Sequence, residues 1–319
     1  MRILLWHVHG AWTTAFVHGD HEYVVPVLPG RGPDGVGIAR TYAWPRDRVT
    51  EVPPERLRDE PFDVVLLQRP HELERLCEGW TGRRPGRDVP AVYVEHNAPQ
   101  GRIADMRHPV AGRDDLVLVH VTHFNALFWD AGTTPVRVIE HGIVDPGERY
   151  SGELPRAAVV INEARRRARV TGTDLLERFS HAAPLDLFGM DAASLDSGNG
   201  LRAIEDLPQA RLHDEMARRR VYLHPIRWTS LGLSLLEAMH LGMPVVALGT
   251  TEVHEAVPAG AGAVSTRLDV LEAAVARMVR DPAEAAERGR AARAAALGRY
   301  GLARFLSDWD ELLEEVENR

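Results

Sequence analysis

The chain has 319 residues, 45% of them hydrophobic, and a formal net charge of −8. That length suits two ordinary domains with separate cores, and that apolar content excludes a disordered protein. The acidic balance argues against nucleic-acid binding, and no apolar run is long enough to span a bilayer as a helix.

Taken in order, Arg2 to Val8 reads as a buried strand rather than a signal peptide, which together with a lone cysteine, Cys77, suggests a cytoplasmic protein without disulfides. Gly10 follows at the usual place for a ligand-facing turn. His7 and His9 alternate, a pattern that two metal ligands would share, although His9 reads better as a polar loop group near a ligand. EYVVPVL is a second strand. The glycine-rich PGRGPDGVG after it precedes no helix pattern and is a surface loop, not a phosphate fingerprint. DVVLLQ is a strand, and HELERLCEGW a helix after it. The strand from Pro90 to Val94 places Glu95, His96 and Asn97 at the carboxyl edge of a sheet, where ligand-binding residues gather. Leu116 to Val121 is a strand followed by a helix for which Thr122 is the N-cap. PVRVIEHGIVDPG closes a first domain, with Gly142 suited to a close approach or a positive φ. Pro146 to Pro155 reads as a linker.

The second half opens on the strand Ala158 to Ile161 and a stretch dense in arginine: Arg165, Arg166, Arg167 and Arg169. All 38 basic residues are arginine, which fits a high-GC bacterial genome. Any phosphate-binding side chain must therefore be an arginine, and lysine Schiff-base chemistry is excluded. Thr173 is placed to cap a helix starting at Asp174. PLDLFGM is a strand ending at Gly189, and LPQARLHDEMARRR a helix. Val221 to His224, a turn, the helical SLGLSLLEAMHLG and the strand PVVAL then make a βαβ unit. Backbone N–H groups from Ser230 through Leu231 and Gly232 to Leu233 would face a phosphate or a sugar hydroxyl. Glu237, placed two turns into that helix on a half-buried face, requires an outside partner. Residues 269–319 read as helices broken at Asp281-Pro282 and Gly301, the last with the stripe Leu302, Phe305, Leu306, Trp309, Leu312, Leu313.

GLSLLEAMHLGMPVVA resembles the C-terminal signature of retaining GT-B glycosyltransferases, the nucleotide-sugar-dependent family that includes mannosyl- and glucosyltransferases. VIEHGIVDP and the helix–strand passage ending VYLHP resemble further parts of it. The resemblance implies an α/β protein of two Rossmann-like domains with a cleft between them: an acceptor domain (residues 1–147), a donor domain (148–300) and a C-terminal helix (301–319) packing back on the first. In that family two glutamates bracket seven residues; the first holds the transferred sugar and the second the ribose. Glu237 matches the second, whereas Thr229 replaces the first, with Glu95 or Glu252 as substitutes from other loops. The resemblance further implies that His96 contacts the sugar, that the loop at Gly10 approaches donor phosphate or acceptor, and that the nucleobase lies by Gly189. Arg166 and Arg169 would neutralise the diphosphate, with Arg165 and Arg167 facing solvent. Glu252 or Glu255 would fill an acidic position of the family.

The expected activity is sugar transfer, with retention, from a nucleotide-diphosphate sugar to a small-molecule, glycan or lipid-linked acceptor. It needs no metal and no cofactor beyond that co-substrate. A sugar-nucleotide epimerase on the same fold and a non-catalytic nucleotide-sugar-binding protein are the alternatives.

Overall fold

The computed structural model describes residues 1–38, 41–198, 200–205 and 207–318. Its backbone contacts divide the chain into two compact units, Met1–Val144 with Leu302–Arg319, and Asp145–Gly301.

The first unit contains β1 (Arg2–Leu5), α1 (Gly10–Phe16), β2 (Glu22–Pro26), β3 (Val49–Val52), β4 (Val64–Leu67), α2 (Cys77–Thr81), β5 (Ala91–Glu95), β6 (Val117–His120), α3 (His123–Phe128) and β7 (Val136–Val138). The runs ILL, VVLL, AVYV and VLV are buried almost without interruption, the mark of strands covered on both faces. They form a seven-stranded parallel sheet in the order β3-β2-β1-β4-β5-β6-β7, with Ile3 opposite Val64 and Tyr93 opposite Leu118. The strand order reverses between β1 and β4. Thr122 caps α3, its hydroxyl accepting from Asn125 N–H at 3.1 Å.

The second unit contains β8 (Leu154–Val160), α4 (Ala164–Arg167), α5 (Leu176–Ala182), β9 (Leu185–Phe188), β10 (Leu201–Ile204), α6 (Gln209–Arg218), β11 (Arg219–His224), α7 (Leu233–Leu241), β12 (Val245–Leu248), α8 (Val253–Ala256), β13 (Gly262–Ser265), α9 (Leu268–Arg280) and α10 (Pro282–Arg299). Its six parallel strands run β10-β9-β8-β11-β12-β13, reversing between β8 and β11. Gly242 ends α7 in the left-handed region (φ 87°), as a helix C-terminus favours. Asp281 caps α10, accepting from Ala283 and Glu284 N–H, with Pro282 at the first helical position.

The last helix, α11 (Leu302–Glu317), belongs to the first unit. It buries Phe305, Trp309, Leu312, Leu313 and Val316, with the Trp309 ring edge-on to Phe16 and Trp12 at 5.0 and 5.7 Å. Gly142 has no positive φ; the close approach it permits is to Phe305, whose Cβ stands where a side chain at 142 would begin. Arg304 donates to the carbonyl of His141 at 2.6 Å. The sequence expectation of a helix to the terminus ends on Arg319, which lies outside the described residues.

Candidate active site

In a parallel sheet all carboxyl ends share one edge, and ligands bind where the strand order reverses. In the second unit this point lies between β8 and β11. The loops that follow them, 161–175 and 225–232, are joined by several hydrogen bonds. Arg227 and Trp228 N–H both reach the carbonyl of Val170, at 2.9 and 3.2 Å. The Arg227 guanidinium donates to Arg169 O at 2.8 Å and to both Asp174 oxygens. Beside it Asp174 is held below the usual carboxylate range.

The helix α7 begins at Leu233, with Gly232 as N-cap and no side chain capping its first turn. Glu237 is therefore one turn into the helix, not two, because residues 229–232 precede it as a bend and irregular backbone. The outside partner is Gln209 at the start of α6, whose Nε2 donates to Glu237 Oε1 at 2.8 Å, with His213 Nε2 at 3.6 Å. Thr229, Gly232 and Leu233 are half-buried, and Ser230 and Leu231 buried. Ser234 and Tyr222 join hydroxyls at 2.9 Å. His224, buried at the end of β11, packs against Gly232, where a Cβ would lie 3.0 Å from its Nε2. Among the described residues neither His224 ring nitrogen has a hydrogen-bond partner, and burial pushes its pKa down to about 4.

The arginine loop differs from its sequence reading. Arg166 is 68% exposed and pairs with Glu163, and Arg169 is 78% exposed and pairs with Asp174 at 3.3 Å. Arg167, expected to face solvent, is instead half-buried, with no ion pair among the described residues; desolvation first, then Arg166, disfavours its charge. Glu163 enters the single turn of α4 in a left-handed conformation (φ 52°), and within that turn Arg165 and Arg166 are exposed and Arg167 half-buried. Thr173 caps nothing: its hydroxyl donates to Ala164 O at 2.8 Å, residues 173–175 make a 3₁₀ turn, and α5 starts at Leu176. Gly189, at φ 147°, lies so close to Ile161 that a Cβ would collide with its carbonyl. After it, Met190 N–H donates to Asn162 Oδ1 at 3.1 Å, and Glu163 N–H donates to Met190 O.

At the carboxyl edge of the first unit, Gly10 is the first residue of α1 rather than a turn, and a Cβ there would meet the Tyr42 ring at 2.6 Å. The His96 ring lies tilted against His9 with centroids 4.0 Å apart and meets Trp12 edge-on at 4.9 Å. Burial, His9 and His141 hold the His96 pKa well below its ordinary value. His141, wholly enclosed, is pushed down to about 3 by burial, then by His9 and Arg304. These are neutral imidazoles. His7 Nδ1 lies 3.1 Å from Gly37 O, away from His9's partner. No group of three His, Cys, Asp or Glu among the described residues is placed to hold a metal.

Neither substitute glutamate is open to a sugar. Glu95 is buried with its oxygens on Asn97 N–H (2.6 Å) and His108 Nε2 (3.0 Å). Glu252 is also buried, against the Ser230 carbonyl through its own N–H and 3.8 Å from Arg299. Glu255 faces solvent. Sequence reasoning missed Arg167, Arg227, His224 and Gln209; the last is 28 positions from its partner, with no local signal.

Residues 164–281 match the protein family described as Glycosyl transferases group 1. No curated protein matches the chain in sequence. Among solved structures, sucrose-phosphate synthase from Thermosynechococcus elongatus has a TM-score of 0.71 at 14% identity, over 99% of this chain and 98% of that one. HepE from Anabaena, solved in complex with UDP, has a TM-score of 0.70 at 13% identity, over 99% and 100%. TarM has a TM-score of 0.63 at 13% identity over 78% of this chain, which spans only 54% of TarM. Among the described residues no helix is long and apolar enough to cross a membrane. The fold is GT-B, and residues 164–281 are similar to the group 1 glycosyltransferase family.

Proposed function

We propose that the protein transfers a sugar from a nucleotide-diphosphate sugar to the hydroxyl of a small-molecule, glycan or lipid-linked acceptor, with retention of configuration. The observation that carries this reading is the group 1 domain itself, whose switch point presents the uncapped N-terminus of α7, Glu237 one turn below it, and the half-buried Arg167. HepE, which shares the fold, binds UDP, and a nucleoside diphosphate suits this chemistry. Glu237 would take a ribose hydroxyl on the oxygen that Gln209 leaves free to orient. The α7 amides and Arg167 would stabilise the charge that grows on the departing diphosphate. A leaving phosphate oxygen can accept the acceptor's proton, so no protein base is required. Arg166 and Arg169, tied to carboxylates, would serve at the rim.

Thr229 sets the sugar contact. A threonine hydroxyl accepts a neutral hydrogen bond, roughly half as strong as one to a carboxylate. The donor sugar is therefore either held less tightly or one with an altered hydroxyl pattern, such as a deoxy or otherwise modified sugar. The same threonine favours a second reading, nucleotide-sugar binding without turnover. A panel of UDP-, GDP- and dTDP-sugars, screened by thermal shift and then by mass spectrometry of products, separates the two. Turnover of a deoxy donor, with ordinary hexose donors improved by Thr229→Glu, supports transfer. Micromolar nucleotide binding with no product from any donor and acceptor supports the binding module.

A further inference from the structure

The residues around His96 are held by a network that the proposed reaction does not use directly. Val110 N–H donates to His108 Nδ1 at 3.2 Å, so the proton of the neutral ring sits on Nε2. That Nε2–H points at Glu95 Oε2, 3.0 Å away, and the His108 side chain is wholly buried. The other Glu95 oxygen accepts Asn97 N–H at 2.6 Å. The Asn97 carbonyl accepts the Trp129 indole N–H at 2.8 Å, and Asn125 Nδ2 reaches the Glu95 carbonyl at 3.4 Å. Asn125 is itself fixed by the Thr122 cap. The His108 ring lies between Tyr93 and Trp129, edge-on to each at 5.2 and 5.0 Å. His96 thus sits between two residues whose backbone groups are tied from three directions, while its own ring faces His9 and Trp12.

We propose that His108 and Glu95 form a clamp that fixes the 95–97 backbone and so positions the His96 ring at the sheet edge. Glu95 is a positioning carboxylate and not a replacement for the glutamate absent at 229. The network is one in which every bond depends on the next: removing the His108 donor leaves a buried carboxylate without its partner, and the Asn97 amide loosens with it. Around His96 the titratable neighbours are His9 and His141, with Arg304 beside the latter. The link to activity rests on the proposed function, whereas the clamp itself does not.

The test uses the full chain with ¹⁵N-labelled histidine and backbone. In the wild type the His96 ring stays neutral through mildly acidic pH, and the Asn97 amide exchanges slowly. In Glu95→Gln, whose amide presents N–H groups to a ring that already donates, and in His108→Phe, which keeps the ring shape without the donor, Asn97 exchange rises at least tenfold. His96 titration then moves toward 6.5. His108→Gln, which can return an N–H to Glu95, stays close to wild type. With a donor that turns over, kcat falls at least tenfold in the first two variants while UDP affinity changes less than twofold. Folded Glu95→Gln and His108→Phe proteins with unchanged Asn97 exchange and His96 titration overturn the clamp. Should His108→Phe fail to fold, the contrast between Glu95→Gln and His108→Gln decides. A broken clamp with unchanged kcat overturns the positioning role. If the wild type turns over no donor, the proposed function fails while the two NMR readouts still judge the clamp.

Discussion

At the carboxyl edge of the first unit enclosed imidazoles gather, with the Glu95 carboxylate turned onto Asn97 and His108, whereas the corresponding edge of the second carries several guanidiniums beside the buried His224. His96, His120 and His141 are buried in the first. In the second, Arg166, Arg169 and Arg227 each pair with a carboxylate, whereas the exposed Arg165 and the half-buried Arg167 have no ion pair among the described residues. A neutral edge suits hydroxyl-rich, uncharged ligands, since a buried imidazole both donates and accepts. A cationic edge suits a diphosphate. The same αβ architecture, with the same reversal of strand order, is thus tuned to two chemistries by which side chains follow the strands.

The largest effect that would sharpen this contrast comes from acid. His120 and His141 are pushed down to about 3, each by burial first, and His96 lies well below its ordinary value too. Unfolded histidines titrate near 6.5, so between these values the unfolded chain binds more protons and stability falls as pH falls. The first unit, through His7, His96, His120 and His141, should therefore lose more stability between pH 7 and pH 5 than the second, through His224 and His240. Hydrogen exchange at pH 7 and pH 5 reads each sheet separately. Equal loss of protection in β5–β6 and β11–β12 would erase the distinction.

Glu237 comes next. A charge-assisted bond to a ribose diol is worth about 1.5–3 kcal/mol, so Glu237→Ala should weaken UDP or GDP by at least tenfold in calorimetric titration. Part of any stability change would come from Gln209, left without its acceptor. Unchanged nucleotide affinity would take Glu237 out of the site.

The smallest effect separates the arginines. Arg167→Ala should weaken a nucleoside diphosphate about tenfold while leaving the nucleoside unchanged, as loss of one charge-assisted contact implies. Arg166→Ala and Arg169→Ala, both exposed, should change neither by more than twofold. Equal losses for nucleoside and diphosphate in Arg167→Ala would point to a disturbed loop instead of a lost phosphate contact.

Much of the architecture is legible along the chain. The runs RILL, VVLL, AVYVE and VVAL are apolar enough that only a strand buried on both faces accommodates them. Gly242, Thr122 and Asp281-Pro282 announce helix ends by local backbone chemistry alone. The strands at or near the sheet edges are not legible. β3, β10 and β13 carry no strand signal, because each is partly exposed and its sequence lacks a continuous apolar run.

What the sequence by itself determined is therefore the succession of buried strands, the punctuation between them, and the GLSLLEAMHLGMPVVA unit with Glu237 on its helix. These depend on neighbours within a turn or two along the chain, where propensity, capping and burial act. Only the tertiary structure decided which arginine is half-buried. It alone showed that Gly10 and Gly142 answer to Tyr42 and Phe305, and that Glu237 meets Gln209. It likewise placed Glu95 on His108 instead of on a ligand. Each of these is a matter of burial or of contact between residues distant in sequence, and neither leaves a periodic trace in the order of the amino acids.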